Sequence, residues 1–400
     1  MMNVENENVG NEWTRGGVKS CTACGASKVV RLLSLDSVPV HQNLLYSSYE
    51  AALGCSVGQI ELTACESCGF IFNRQFDSGL LDYSQAYENT QDKSGSFSEH
   101  MVSVAERLIH RHALKGKRIL EIGCGKGGFL NLIVERAGGV GKGFDPTYLN
   151  EFDNASALTF VKDFFPANEQ WWQPDQIVCR HVLEHIAQPL DFVRMIRESL
   201  PSGQFPHVYF EVPGFDWIAE KLAFWDIFYE HCNYFTAASL QRMLEACGFE
   251  VEAIESTFSG QYLSVDVRVS IESSTVPSNH ALKQDYTSLA TNFRNRMDDV
   301  QSLIRRQRSE DKSIAVWGAA AKGTTFLNQL ALTPDVIFNV IDINPRKQGN
   351  YIAGTGQLIC APEFLQNNER EVIYVMNPNY EDEIRQQLNA MKLFPELVVI

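Results

Sequence analysis

The sequence predicts an α/β protein with a doubly wound, Rossmann-like core, and three features of its 400 residues support this. Residues 118–130 contain a short apolar run, a glycine-rich turn and the start of a helical pattern. Two Cys-x-x-Cys-Gly turns precede this segment, and a second strand, glycine turn and helix begin at Ser313. Together they predict an N-terminal metal-binding domain at 17–80, a central domain at 81–275 and a C-terminal Rossmann-like lobe at 276–400.

The composition excludes several classes of function. A net charge of -15 argues against a nucleic-acid surface, because phosphate binding needs a basic face. Residues 1–16 are polar and acidic, which predicts a disordered leader and neither a signal peptide nor an anchor. No apolar run reaches the roughly 18 residues of a membrane span. We therefore expect a cytoplasmic protein whose ten cysteines stay reduced unless they bind metal.

The paired cysteine turns predict a structural zinc site. Each turn offers two sulfurs on one side, its glycine lets the chain fold back, and four thiolates satisfy tetrahedral zinc. The predicted ligands are Cys21, Cys24, Cys65 and Cys68. A disulfide pair or a redox Cys-x-x-Cys is the alternative interpretation. Cys55 lies between the turns and is expected to be a buried hydrophobe.

The glycine turn at the centre of the chain predicts a nucleotide-type cofactor site. Glu121 precedes the turn, and Gly123, Gly125 and Gly127 occupy alternate positions in it. Glycine allows the backbone to approach a ligand there, and the following helix N-terminus faces that ligand. A pattern of G-x-G-x-G after an acid differs from the dinucleotide fingerprint G-x-G-x-x-G. It resembles the first motif of class I S-adenosylmethionine (SAM)-dependent methyltransferases.

The next elements follow in the order that this resemblance requires. Asp145 ends the predicted second strand, where its carboxylate can accept the two ribose hydroxyls. Asp163 and Phe164 follow the third element, where the acid can bind the adenine amino group and the ring can cover its face. A fourth strand at 176–179 leads into R-H-V-L-E-H at 180–185.

An aromatic segment after the fifth predicted strand, 207–213, carries the candidate catalytic pair. Glu230 and His231 lie adjacent within residues 224–236, among phenylalanine, tyrosine and tryptophan. A histidine in an apolar run is often a core residue, but this one follows a cofactor crevice and stands beside a carboxylate. Residues 83–91 are predicted to be either a lid or a surface loop with two packed tyrosines.

The C-terminal lobe contains W-G-A-A-A-K-G at 317–323. This is not a Walker A loop, because Lys322 precedes Gly323 instead of following it. We expect the lobe to bind part of a nucleotide; a structural subdomain without a ligand is the alternative.

With these parts in place, the chain resembles the three-domain SAM-dependent sugar C-methyltransferases that act on nucleotide-linked 4-keto-6-deoxysugars. The resemblance covers nearly the whole chain. Its motifs are the paired cysteine turns, Y-E-N at 87–89, E-I-G-C-G-K-G at 121–127, E-H-x-x-Y-F at 230–235, W-G-A-A-A-K-G at 317–323 and D-x-N-P-x-K-Q-G at 342–349. It implies a zinc-binding domain, a SAM core and a C-terminal lobe that helps to hold the nucleotide sugar.

The resemblance also implies catalytic roles for several residues. His231 corresponds to the proposed base, Glu230 to its neighbouring acid, Tyr87 to a lid tyrosine and His185 to a histidine near the sugar. The family usually shows Tyr-His-Glu-His, whereas this chain has Phe-Tyr-Glu-His at 228–231, so the family's hydroxyl is absent or displaced to Tyr229. The family's H-G-G-S stretch is replaced by F-S-G-Q-Y at 258–262.

These observations predict a SAM-dependent methyltransferase that methylates C3 of a nucleotide-linked 4-keto-deoxysugar. The expected partner is this small molecule, without nucleic acid or membrane; the oligomeric state cannot be read from the sequence. O- or N-methylation of a related metabolite is the first alternative. A non-catalytic zinc-ribbon adaptor is the second, and the retained glycine turn and Asp145 argue against it.

Overall fold

The computed structural model describes residues 18–81, 88, 94–149, 152, 157–166, 172–200, 206–270 and 286–400. The described strands form three sheets, of four, seven and five strands. None of the helices described is long and apolar enough to cross a membrane.

The N-terminal sheet is antiparallel and incorporates a strand from far along the chain. Its order is β1-β2-β3-β9. The elements are β1 (Val29–Pro39), α1 (Tyr49–Leu53), β2 (Val57–Cys65), β3 (Ile71–Asn73) and β9 (Asn233–Tyr234). Because β9 directly follows the Glu230–His231 pair, the backbone of this segment is hydrogen-bonded into the N-terminal sheet.

The central sheet has the order β10-β11-β8-β7-β4-β5-β6, in which β6, β5, β4, β7 and β8 are parallel and β11 and β10 antiparallel. This order confirms the expected class I methyltransferase core. The strands are β4 (Arg118–Ile122), β5 (Val140–Phe144), β6 (Leu158–Val161), β7 (Gln176–Arg180), β8 (His207–Pro213), β10 (Phe249–Thr257) and β11 (Tyr262–Val269).

Helices cover both faces of this sheet, as a largely parallel sheet requires. They are α2 (Gly95–Arg111), α3 (Gly128–Ala137), α4 (Pro189–Glu198), α5 (Phe215–Lys221) and α6 (Ala237–Ala246). Apolar side chains of α2 and α3 form the core on one face, and those of α4 and α6 form it on the other. Local signals fix the helix starts: Pro189 begins α4, and a capping box of Thr236 and Ser239 begins α6.

The C-terminal sheet is parallel in the order β14-β13-β12-β15-β16, which confirms the predicted Rossmann-like lobe. Its elements are α7 (Tyr286–Ser309), β12 (Ile314–Trp317), α8 (Ala321–Gln329), β13 (Asn339–Ile341), β14 (Leu358–Cys360), β15 (Val372–Val375), α9 (Glu381–Ala390) and β16 (Glu396–Val399). A Cβ at Gly323 would lie 1.9 Å from the Gly318 carbonyl oxygen, so only glycine permits this turn.

One hydrophobic core joins the N-terminal domain to the C-terminal lobe. Buried residues of β1 and β2 pack in the same cluster as residues of α7, α8 and β12. The backbone of Gln42 links the three parts, because its N–H donates to the Glu230 carboxylate (2.9 Å) and its carbonyl accepts from the Thr324 hydroxyl (3.2 Å). The relative placement of the lobes is therefore fixed by both apolar and polar contacts.

The sulfur atoms of the four predicted zinc ligands form one cluster. The Sγ atoms of Cys21 and Cys68 lie 3.6 Å apart, as do those of Cys24 and Cys65, and all four lie within 4.8 Å of one another. Zn–S bonds of about 2.3 Å in a tetrahedron place sulfurs about 3.8 Å apart. The donor set therefore fits zinc. With all four positions taken by protein, zinc would serve the fold and leave no position for a substrate.

We expect Cys24→Ser to release the zinc and lower the stability of the N-terminal domain by several kcal/mol, because metal binding and folding are coupled in such sites. The measurement is zinc per chain by elemental analysis together with the melting temperature. Cys55→Ser is the matched control, since Cys55 is buried outside the cluster and should leave the zinc content unchanged. Full zinc retention by Cys24→Ser would contradict the assignment.

Candidate active site

A cavity of about 410 Å³ lies between the central domain and the C-terminal lobe. Residues at or after the carboxyl ends of β7, β8, β12, β13 and β15 line it. In open α/β sheets the crevice outside the carboxyl strand ends is where ligands bind. Here two such crevices face each other, so each domain contributes one wall.

The glycine turn after β4 leaves room for a cofactor at its middle position. A Cβ on Gly123 would meet Val182, and one on Gly127 would meet Phe160, whereas at Gly125 nothing lies within 4 Å. Gly125 has a φ of 54°, and its N–H donates to Asp145 Oδ2 at 2.8 Å. The turn and the predicted ribose acid are therefore adjacent, with open space beside them.

Glu121 places a buried carboxyl group beside this turn. It is 3% exposed, and its Oε2 has no hydrogen-bond partner among the described residues. Burial raises the pKa of Glu121 to about 7, although Arg180 nearby favours the ionised form. An unpartnered buried carboxylate beside an open turn fits a ligand such as SAM, which carries positive charge.

The predicted adenine residues lie at the carboxyl end of the adjacent strand, β6. Asp163 is exposed, and its Oδ1 accepts from the Phe164 N–H at 2.8 Å. The Phe164 ring is 74% exposed. The neighbouring Asp145 N–H donates to the Val161 carbonyl, so both predicted acids border the same end of the sheet. Their ribose and adenine roles stay predictions.

A strained turn after β7 brings three titratable residues to the cavity. His181 has a φ of 53°, a conformation that residues other than glycine rarely adopt, and a short 3₁₀ turn, Leu183–His185, follows it. His181, Glu184 and His185 all line the cavity. Strain of this kind persists only where surrounding contacts hold it, and it is common at functional sites.

His185 is fixed by a backbone contact. Its Nδ1 lies 2.9 Å from the Glu230 carbonyl oxygen, which can only accept a hydrogen bond. Nδ1 therefore carries the proton, and in the neutral ring Nε2 keeps its lone pair.

His231 packs beside His185 in the same wall. The two ring centroids are 4.8 Å apart at 78°, and the Phe228 ring lies 4.0 Å from that of His231. Burial, together with the nearby His185, His181 and Lys322, lowers the pKa of His231 well below its ordinary value. The ring is consequently neutral at pH 7 and able to accept a proton.

Two residues beside His231 turn towards the N-terminal domain. The Glu230 carboxylate accepts the Gln42 N–H described above. The Tyr229 hydroxyl accepts from the Asp77 N–H at 2.8 Å and donates to its carbonyl at 3.2 Å, and Tyr229 does not line the cavity. We therefore assign the Tyr229 hydroxyl to the contact between domains. Tyr87 lies outside the described residues, so its predicted role stays a prediction.

A buried charge network supports the strained turn. Arg180 donates to Glu211 Oε1 through Nε (2.9 Å) and one terminal nitrogen (2.7 Å), and His100 and the Tyr209 hydroxyl approach Oε2. Burial alone would raise the pKa of Glu211, but Arg180 and the histidines hold it well below its ordinary value. Glu211 is therefore ionised at neutral pH.

His181 is the cationic member of this wall. Its Nε2 lies 3.1 Å from Glu211 Oε1, and its Nδ1 lies 3.5 Å from Glu184 Oε1. Burial opposes its protonation, but Glu184 and Glu211 outweigh this and raise the pKa of His181 to about 9.

The C-terminal lobe contributes a polar wall. Lys322 pairs with Asp226 of the central domain and lies over the Trp217 ring. Asp342 accepts from the Ala319 N–H (2.8 Å), as the acid after the second strand of a Rossmann fold does with its glycine turn. Lys347 is 3% exposed, and burial lowers its pKa. Lys322 and Lys347 both line the cavity, where their amino groups can contact an anionic ligand.

The segment that departs from the family pattern forms the joint between the two domains. Gln261 and Asn377 exchange two side-chain hydrogen bonds of 2.7 and 3.1 Å, and both line the cavity. Phe258 and Tyr262 stack at 5.2 Å, and Tyr262 also contacts the His181 ring. The substitution therefore makes this edge of the cavity aromatic.

Glu88, from the predicted lid segment, connects the cofactor side of the site to the C-terminal lobe. Lys126 of the glycine turn donates to both carboxylate oxygens at 3.1–3.2 Å. Asn344 and Arg346 donate to the same carboxylate at 3.3 Å. Glu88 was not a candidate site residue, although it lies in the Y-E-N motif at 87–89.

Sequence reasoning also missed His181 and Glu184, which became candidates only when the cavity was known. The signal was available, because R-H-V-L-E-H contains both residues within six positions. The sequence could not show which of these side chains face the cavity, since that depends on the positive φ at His181.

Comparisons with known proteins agree with this architecture. A family described as "Methyltransferase domain" matches residues 97–254, and one described as "C-methyltransferase C-terminal domain" matches residues 274–394. The C-methyltransferase NovU of Streptomyces niveus is 23% identical over 393 residues, which cover 92% of this chain and 91% of that protein.

Two further relatives match only part of the chain. A ubiquinone biosynthesis O-methyltransferase of Vibrio vulnificus is 30% identical over 114 residues, 26% of this chain and 46% of that protein. The crystal structure of the Burkholderia thailandensis 1,6-didemethyltoxoflavin-N1-methyltransferase, with S-adenosylhomocysteine bound, is 16% identical with a TM-score of 0.35, covering 45% of this chain and 83% of that one.

We expect Asp145→Ala to weaken SAM binding about 10- to 100-fold, the effect of losing hydrogen bonds to a charged acceptor. Isothermal titration calorimetry with SAM measures this directly. Asp191→Asn, at an exposed site on α4, is the control and should bind SAM like the wild type. Unchanged affinity in Asp145→Ala would remove the ribose role from this residue.

The raised pKa of His181 predicts a pH-dependent stability. The contribution of His181 to the free energy of unfolding is fully present below the ordinary histidine pKa of about 6.5. It is lost as the pH rises through about 9. The melting temperature of the wild type should therefore fall between pH 6.5 and 9 more steeply than that of His181→Gln. Parallel curves for the two proteins would show that His181 is not protonated in the fold.

Proposed function

This chain is a SAM-dependent methyltransferase with a C-methyltransferase C-terminal domain, and we propose that it methylates C3 of a nucleotide-linked 4-keto-6-deoxysugar. The observation that carries the proposal is the pair of adjacent imidazoles, His185 and His231, in a cavity shared by the methyltransferase core and the C-terminal lobe. The C-methyltransferase relative, which spans nearly the whole chain, supports transfer to carbon.

His231 can serve as the base in the first step, because its ring is neutral at pH 7. The 4-keto group of such a sugar acidifies the proton on C3, and a neutral imidazole can remove it. Bound SAM supplies the electrophilic methyl group that the resulting carbanion takes up. The domains hold the reacting groups in line, which is a large part of catalysis in such transfers.

The enolate oxygen needs a positive charge or a hydrogen-bond donor nearby. His181, cationic at neutral pH, supplies charge at the cavity wall. His185 and the predicted lid residue Tyr87 are the other candidates. His185 would donate from Nε2 only in its protonated form, because Nδ1 is committed to the Glu230 carbonyl.

The polar wall of the C-terminal lobe supports binding of the nucleotide part. Lys322, Lys347 and Asn344 offer donors to an anionic group, and Asp342 stands where such folds contact a ribose. A four-thiolate zinc site requires reduced cysteines, which supports our proposal that the enzyme works in the cytosol.

Transfer to oxygen or nitrogen is the alternative, favoured by Phe228, which occupies the position of the family's catalytic hydroxyl. The two reactions differ in solvent exchange. Incubation with SAM and a panel of nucleotide sugars in deuterated water should give a 14-dalton gain with loss of the C3 hydrogen only if carbon is methylated. Methylation of a sugar without a 4-keto group would contradict the carbon mechanism.

We expect His231→Asn to abolish turnover and C3 exchange, because no base is left to take the proton, while SAM binding stays within a few-fold of wild type. Turnover is followed by mass spectrometry and SAM binding by calorimetry. His110→Asn is the control, since His110 is exposed on α2 away from the cavity. Retained exchange in His231→Asn would exclude His231 as the base.

A further inference from the structure

We propose that Glu184, rather than Glu230, is the positioning residue that orients the His231 imidazole and stabilises it when protonated. This inference rests on the proposed function, since it gives the proton acceptor of that reaction its counter-charge. Neither the sequence pattern nor the family resemblance assigned Glu184 a role.

The geometry places Glu184 against both imidazoles. One carboxylate oxygen of Glu184 and one ring nitrogen each of His185 and His231 lie within 4.8 Å of one another. Glu184 is 1% exposed and lines the cavity. Its Oε2 is buried and has no hydrogen-bond partner among the described residues, whereas Oε1 faces His181 Nδ1. An acceptor is therefore available beside the histidine pair.

The surroundings of His231 disfavour its protonated form. Three basic groups, His185, His181 and Lys322, act on the ring from two domains and disfavour its protonation. Among the nearby acids, Asp226 pairs with Lys322, and Glu211 pairs with Arg180 and His181. The Glu230 carboxylate receives the Gln42 N–H on the side of the N-terminal domain. Glu184 is thus the acid aimed at the histidines from within the cavity.

Glu184 assists the transfer of the C3 proton to His231. The C3–H bond breaks, its proton goes to a ring nitrogen of His231, and its electron pair enters the enolate. That pair then forms the carbon–carbon bond to the methyl group donated by SAM, with S-adenosylhomocysteine leaving. The imidazolium later returns its proton to solvent. Glu184 neither gains nor loses a proton in this step, as is the case for the carboxylate partner of a catalytic histidine in other enzymes.

The test compares Glu184→Gln with Glu184→Asp and Glu230→Gln in the full-length, zinc-containing enzyme. Glu184→Gln should lower kcat on a ketosugar substrate about 100- to 10,000-fold, with KM changed less than threefold. The acidic limb of its kcat/KM profile should move to lower pH, since an anion that favours imidazolium is gone. Glu184→Asp, which keeps the charge, should recover part of kcat. Unchanged kcat and pH profile in Glu184→Gln would overturn the proposal.

A second measurement needs no substrate and separates this inference from the proposed function. Nitrogen-15 spectra of histidine-labelled protein report the tautomer and pKa of each ring. We expect Glu184→Gln, and not Glu230→Gln, to shift the His231 signals. The reverse result would assign the role to Glu230 and overturn the proposal. If these shifts occur but the wild type methylates no ketosugar, Glu184 keeps its role and the substrate assignment fails.

Chelation distinguishes a metal ligand from a positioning residue, because a carboxylate and two imidazoles could also bind a divalent ion. We expect turnover to survive EDTA treatment that leaves the four-cysteine zinc in place. Loss of turnover restored by added Mg²⁺ or Zn²⁺, and absent in Glu184→Gln, would make Glu184 a metal ligand and overturn the proposal.

Discussion

The pairing of β9 with the N-terminal sheet is the interaction on which the site depends. Phe72 pairs with Asn233, Ile71 with Tyr234, and the Asn73 N–H donates to the Cys232 carbonyl at 2.8 Å. These bonds hold the three residues that follow His231. Asn233 also donates to the carbonyls of Leu183 and Ile186, on either side of Glu184 and His185. One short strand therefore ties both histidine segments to the N-terminal domain.

Such a long-range pairing has a high entropic cost, which the four-cysteine site helps to offset. Cys65 ends β2, and β3 follows directly after the second cysteine turn. A metal bound by both turns would hold β3 in the sheet to which β9 pairs. Although none of the four cysteines lines the cavity, a metal there would support the backbone that carries the candidate base. Phe70 and Phe72 extend this support into the core of the central domain.

Paired charges support the wall of the cavity that holds the candidate base. Arg180, His181 and Lys322 are matched by Glu211, Glu184 and Asp226. Removing one partner of a buried pair leaves the other uncompensated, which is more costly than the pair is stabilising. Lys322 comes from the C-terminal lobe and Asp226 from the central domain, so this ion pair joins the two walls of the cavity. Glu88 provides a comparable link beside the cofactor turn.

The sequence alone determined the three-part architecture, the cofactor turn and the four metal ligands. These features depend on local patterns: G-x-G-x-G after an apolar strand, and Cys-x-x-Cys-Gly twice, each of which specifies its own geometry over a few residues. It also located Asp145, His185 and His231, because each follows a strand or lies in an unusual motif. The roles of Asp145 and His231 stay proposals.

The tertiary structure decided where side chains point and which elements meet. Side chains of adjacent residues point in different directions. Tyr229 and Glu230 face the N-terminal domain. Phe228 and His231 face the cavity. Residues that are distant in the sequence lie close together in space. Glu184 lies near His231, and Lys322 pairs with Asp226. Neither result follows from local propensity. The segments of Glu184 and His231 are placed by a three-residue strand that pairs with a two-residue strand more than 150 positions away, and by the strained backbone at His181.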